Sequence, residues 1–216
     1  MLKLAGFNST IYSFNKKTGV SFTPILASQE CWQSVEVLID QNAAVLKLGE
    51  VVRRWEQRVA SSKGFVDKSE KACQLLCIGS HKLGVHLKGS DIDLLCIAPN
   101  WLHRHDFNTS LLELIQVTEG VGQIRPVPHA SVPVLKFNLD GVDIDLLFAR
   151  LQQEKIEEEQ DFSIPGLVSD PQCQASMAGH LVTMALLAAV PDLPRFQCAL
   201  AGVKIWAERR GVHGYR

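Results

Sequence analysis

Val45, Leu48, Val52, Trp55 and Val59 recur at spacings of three and four, with Lys47, Glu50, Arg53, Arg54, Glu56 and Arg58 between them. That is the pattern of an amphipathic helix with one apolar stripe. It predicts a helix that begins before Asn42, in the region of Trp32, Val35, Val37 and Leu38, and ends near Ser61 to Gly64. From residue 74 the pattern shortens to strand-like runs: QLLCIG at 74–79, DIDLLCIAP at 91–99, VPVLKFNLDG at 132–141 and VDIDLLFAR at 142–150. Asp140-Gly141 between the last two is a dipeptide favoured in tight turns that match strand twist, and predicts a hairpin. Leu111, Leu112 and Ile115 share a face in DFNTSLLELIQV, predicting a helix over 106–117. The run LQQEKIEEEQDF reads as a solvated face or linker. Two helices are expected after it, one over 176–190 and a second that Asp192 caps and Gly211 ends.

Composition changes this picture little. In 216 residues, 22 Lys and Arg stand against 23 Asp and Glu, for a net charge of −1. No global basic field exists, so any nucleic-acid contact must be local. The six cysteines form no CxxC pair, and the first residues show no secretory leader pattern, which together suggest reduced thiols in an intracellular protein. The longest nearly apolar run, LVTMALLAAV, has ten residues and meets Pro191. A bilayer requires about 20, so no membrane span is expected. Residues 1–27, rich in Gly, Ser and Thr, read as an extended arm. Trp55 and Trp206 both read as core residues.

The chemistry lies in GSHKLGVHLKGSDIDLLC at 79–96. In a strand, residues two apart face the same way, so Asp91 and Asp93 aim their carboxylates together. Adjacent anions raise each other's pKa unless a cation lies between them. Oxygen donors of this kind suit Mg²⁺, which commonly shares its shell with substrate phosphates. The hairpin repeats the arrangement with Asp143 and Asp145, and spacing does not separate those two. If one of them joins Asp91 and Asp93, three carboxylates can hold two metal ions about 4 Å apart, polarising the attacking and leaving oxygens of a phosphoryl transfer. Gly79-Ser80, directly after a strand, permits a turn, close backbone approach and donation to phosphate oxygens.

Residues 79–99, GSHKLGVHLKGSDIDLLCIAP, closely resemble the catalytic signature of eukaryotic poly(A) polymerases in the nucleotidyltransferase superfamily. VPVLKFNLDGVDIDLLFARL at 132–151 resembles that family's third-aspartate hairpin, and VKIWAERR at 203–210 its triphosphate-lysine helix. AAVLKLGEVVRRWEQRV is similar to the helix before its first strand, and the likeness covers roughly residues 20–216. The resemblance implies an α+β fold, a DNA polymerase beta-like mixed sheet with flanking helices. It implies a catalytic domain over 28–170 and the start of a central helical domain over 171–216, continuing into further domains beyond. It also implies Asp91, Asp93 and Asp145 as the catalytic and metal-binding triad, with Gly79, Ser80 and Lys204 on the nucleotide. Ile78, Leu87 and His213 fall at further nucleotide-binding positions.

The implied activity is template-independent transfer of AMP from ATP to an RNA 3′ end, with Mg²⁺ (or Mn²⁺ in its place). The implied partners are RNA and mRNA 3′-processing factors, and the implied location is the nucleus. Ile78 stands where the family has an aromatic, Leu87 where it has threonine, Ala178 where it has asparagine and His213 where it has tyrosine. Each alters a nucleotide contact, which leaves open a different base specificity. A non-catalytic paralogue acting as a binding module is the remaining alternative.

Overall fold

The computed structural model describes residues 35–64, 72–87 and 89–212; the arm expected over 1–27 and His213 lie outside them. The first described element is α1 (Val35–Ser62), whose stripe buries Leu48, Val52, Trp55 and Val59. β1 (Gln74–Cys77), the one-turn α2 (Gly79–Lys82) and β2 (Ile92–Ala98) follow. The helix expected over 106–117 is a chain of three pieces: α3 (Arg104–Asp106), a π-helical turn (Phe107–Leu111) and α4 (Leu112–Gln116). Next come β3 (Val121–Val127), β4 (Val134–Leu139) and β5 (Val142–Arg150), then α5 (Pro171–Ala189) and α6 (Leu193–Arg209).

The five strands form one mixed sheet in the order β1-β2-β5-β4-β3. β2 and β5 run parallel, and every other neighbouring pair is antiparallel. Side chains alternate between faces along a strand. Ile92, Leu94 and Cys96 on β2, and Ile144, Leu146 and Phe148 on β5, are therefore buried on one face. Phe107 packs ring to ring on Phe148 at 5.0 Å, and the Trp55 indole N–H donates to Ser110 Oγ at 2.9 Å. The helical segment and α1 thus cover this face together. The opposite face carries Asp93 and Asp145.

Asp140 and Gly141 turn the β4–β5 hairpin with φ of 52° and 87°. Two successive left-handed residues are what a two-residue hairpin turn of matching twist needs. The charge run forms the connection to α5, and Leu151, Ile156 and Leu167 anchor it to the core. Asp170 and Asp192 cap α5 and α6, accepting from the N–H groups of Gln172 and Arg195. Among the described residues no helix is long and apolar enough to cross a membrane.

Two features depart from expectation. The pattern gave no sign of β3, because Gly122 and Pro126 interrupt its short run of residues. Proline is tolerated at a sheet edge, where one row of N–H groups has no partner, and β3 is an edge strand with a register shift between Gly122 and Arg125. Trp206 is not core but 56% exposed, since Ala201, Gly202 and Ile205 form the buried stripe of α6.

Candidate active site

The parallel pairing of β2 with β5 places Asp93 directly beside Asp145. Neighbours in register share a face. Asp91 comes one residue before β2, and its charge acts on both Asp93 and Asp145. The three carboxylates therefore lie within one another's electrostatic reach, where the beginning of β2 lies against β5. Asp143 shares their face but is exposed, and it accepts a 2.9 Å hydrogen bond from the Asn138 amide. Strand register thus sets Asp145, rather than Asp143, directly beside Asp93.

Burial, followed by the charges of Asp91 and Asp145, pushes the Asp93 carboxyl up to about 6, against the opposing pull of Lys136 and Lys204. Burial also raises Asp145, while the Lys136 ammonium holds it down. Lys136 on β4 is directly opposite Asp145 and ion-paired with it. Sequence reading missed this lysine, although the hairpin contained the signal. In a two-residue turn at 140–141, partners sum to 281, and 136 plus 145 does so.

Among the described residues no three His, Cys, Asp or Glu side chains stand as a ready metal-ligand cluster. Lys136 is instead the cation nearest Asp145. The donor chemistry nonetheless fits a divalent ion: carboxylate oxygens only, crowded and half buried, with Asp93 raised by burial and then by the charge of its neighbours.

The chain leaves β1 through Ile78, whose N–H donates to the Asp93 carbonyl at 3.0 Å. Gly79 then turns with φ of 60°, and a β-carbon there would lie 2.7 Å from Asp93 Oδ2. Only glycine allows the turn to sit this close to the carboxylate. The Gly79 N–H is already bonded, to Thr183 Oγ1 on α5 at 3.1 Å. Ser80 is half buried beside it. Lys204 on α6 donates to the Val85 carbonyl at 3.1 Å. Burial lowers its pKa while Asp93 and Asp91 raise it, which places the ammonium within their field.

The structure therefore gathers Gly79, Ser80, Asp91, Asp93, Asp145 and Lys204. Ile78 and Leu87 are buried, Ala178 is exposed on α5, and Ile78 packs against Gly179. His81 and His86 are half buried and stacked at 5.0 Å. Burial, then His81 and Lys204, push His86 down to about 4. A separate polar cavity lined by Asn100, Arg150, Ser169 and Asp170 lies at the other ends of β2 and β5 and shares no residue with this cluster.

Residues 15–190 match the family described as the poly(A) polymerase nucleotidyltransferase domain. Poly(A) polymerase of Dictyostelium discoideum is 33% identical over 93% of this chain, which spans 26% of that protein. Nuclear poly(A) polymerase 4 of Arabidopsis thaliana is 30% identical over 98% of the chain, which spans 29% of it. The fold also matches a structure of Cid1, an RNA terminal uridylyl transferase, with a TM-score of 0.55 and 16% identity over 88% of this chain and 47% of that one. The chain spans under a third of the curated relatives' length. Sequence likeness over most of its residues, together with the mixed sheet and its paired aspartates, shows that the chain belongs to the poly(A) polymerase nucleotidyltransferase family.

Proposed function

We propose that this chain carries the catalytic centre of a template-independent polynucleotide adenylyltransferase, adding AMP from ATP to RNA 3′ ends. The observation that carries this reading is the register of β2 and β5, which sets Asp93 beside Asp145 with Asp91 at the strand's beginning. The bond that forms joins the RNA 3′ oxygen to the α-phosphorus. The bond that breaks releases pyrophosphate, and the hydroxyl proton leaves toward Asp145. Asp91, Asp93 and Asp145 would hold Mg²⁺, with Mn²⁺ able to replace it; bound divalent ions supply charge neutralisation and polarisation of the reacting oxygens. Gly79 brings the turn against Asp93, and on this reading the Ser80 hydroxyl and Lys204 meet the triphosphate, the lysine as a point charge.

Relatives that are poly(A) polymerases at 30–34% identity support ATP as the substrate. A different base preference is the second reading. It rests on Ile78 and Leu87, buried apolar side chains where the family pattern has an aromatic and a threonine, and on Ala178 where it has asparagine. On the first reading the protein acts on RNA in the nucleus alongside 3′-processing factors, with residues 28–170 as catalytic domain and 171–216 opening a helical one.

The test is primer extension on oligo(A) with Mg²⁺ and each NTP separately. Extension with ATP alone supports the proposal, and extension with another NTP supports the second reading. No extension beyond that of an Asp91→Ala/Asp93→Ala double variant would mark the chain as a binding module.

A further inference from the structure

The segment 79–87 is held from outside by side chains far away in sequence. Thr183 Oγ1 accepts from the Gly79 N–H at 3.1 Å, Gln197 Nε2 donates to the Leu83 carbonyl at 2.9 Å, and Lys204 Nζ donates to the Val85 carbonyl at 3.1 Å. All three side chains lie on α5 and α6. Thr183 is only 3% exposed, and its hydroxyl donates onward to the Gly179 carbonyl at 2.7 Å, so its acceptor lone pairs are directed at Gly79. Gly179, one helical turn earlier on the same face, lets α5 approach Ile78: a β-carbon there would lie 3.1 Å from Ile78 Cδ1.

Two consecutive amides are therefore tied to opposite sides. The Ile78 N–H goes to the Asp93 carbonyl on the sheet, and the Gly79 N–H goes to Thr183 on α5. The peptide plane between them fixes how far the Gly79 α-carbon leans over the Asp93 carboxylate. The Gly79 amide is half buried, and on losing its acceptor it must move or remain poorly paired, which is costly.

We propose that Thr183 and Gln197 are positioning residues that set the 79–87 turn against Asp93, with Thr183 holding the Gly79 amide and Gln197 the Leu83 carbonyl. On this account the Gly79 amide does not serve phosphate; it serves α5. Two of the three ties involve no charged group. When Lys204 turns from Val85 to a triphosphate, Thr183 and Gln197 still hold the turn in place. The inference rests on the adenylyltransferase reading for its kinetic half only.

The test uses the whole chain with Thr183→Val, which keeps shape and removes the acceptor, Thr183→Ser, which restores it, and Gln197→Leu. Amide hydrogen exchange should show Gly79 protected in the wild type and in Thr183→Ser, and exposed in Thr183→Val. In primer extension, Thr183→Val and Gln197→Leu should each raise the KM for ATP about five- to tenfold, and Thr183→Ser should restore it. Unchanged Gly79 protection in Thr183→Val overturns the proposal. So does a fall in kcat with KM unmoved, the signature of fewer folded molecules. A wild-type chain that extends no primer refutes the adenylyltransferase reading, while the exchange result still decides whether Thr183 holds the turn.

Discussion

Lys136 on β4 stands directly across the hairpin from Asp145 on β5, and its ammonium is ion-paired with that carboxylate. Asp145 thus has a cation of the protein's own beside it, and this lysine offsets part of what burial does to the acid. Replacing the ammonium with a neutral chain of similar length leaves Asp145 with burial and the charges of Asp91 and Asp143, all of which favour the proton. Lys136→Met is therefore expected to move the Asp145 titration upward in metal-free buffer, and the acid limb of the activity profile with it. Carboxyl-carbon NMR read against pH checks the first part, and primer extension against pH the second. An unmoved Asp145 would mean that the pair is screened too well to matter.

Asp93 predicts an unusual stability profile. Its folded pKa of about 6 exceeds the ordinary carboxylate value of 3.8. A raised acid contributes stability that is fully present below the unfolded value and is lost as pH rises through the folded one. Without divalent ions the chain should therefore lose stability between about pH 4 and pH 6, by at most on the order of 3 kcal/mol. His86 runs the other way, since its pKa is lowered to about 4. Its contribution is complete above the ordinary imidazole value and is lost as pH falls toward 4, so the two partly cancel. Asp93→Asn should stabilise the metal-free chain at neutral pH, expose the His86 limb in acid, and abolish transfer. Urea denaturation in chelator at several pH values measures the first two effects.

Gly79→Ala tests how closely the turn sits to the carboxylate. The new β-carbon would lie 2.7 Å from Asp93 Oδ2 in a residue held at φ of 60°. Left-handed backbone costs a β-carbon about 1–2 kcal/mol, and the contact adds to that unless Asp93 swings away. Either response displaces a proposed metal ligand. The expected outcome is a loss of about 2 kcal/mol or more in stability, with transfer reduced more than stability alone explains. Paired denaturation and extension assays separate the two.

What could be read from the sequence was local. The stripe of α1 needed only the spacing of Val45, Leu48, Val52, Trp55 and Val59, and the hairpin needed only Asp140-Gly141 between apolar runs. Asp91 and Asp93 announced themselves through period-two alternation. What stayed hidden depends on partners distant along the chain. Spacing left Asp145 and Asp143 equivalent, and it is the register of β5 on β2 that sets Asp145 directly beside Asp93. Thr183 meets Gly79 across 104 positions, and no periodicity records such a meeting. β3 was missed because its Gly122 and Pro126 are punctuation in the middle of a chain and are tolerated at a sheet edge. Trp206 misled because size argues for burial, whereas the position of Ile205 on the helix decides it.

Lys204 separates a structural lysine from a working one. Its ammonium holds the Val85 carbonyl, and it also lies in the field of Asp93 and Asp91. If the lysine serves only the carbonyl, Lys204→Met should cost about 1 kcal/mol of stability through the lost bond and leave the KM for nucleotide where it was. If it serves a triphosphate, the ammonium must leave Val85 for a ligand of higher charge. Removing it then raises the KM for ATP by about tenfold or more, since charge-assisted hydrogen bonds are roughly twice as strong as neutral ones. Lys204→Arg discriminates further. A planar guanidinium keeps the charge but not the compact geometry, so it should recover part of the affinity. Because the ammonium also screens Asp93 and Asp91, Lys204→Met should weaken nucleotide binding most at low ionic strength, where phosphate charge is least screened. Isothermal titration with MgATP at two salt concentrations reads this directly, and equal affinities for wild type and Lys204→Met at both would remove the lysine from the nucleotide site.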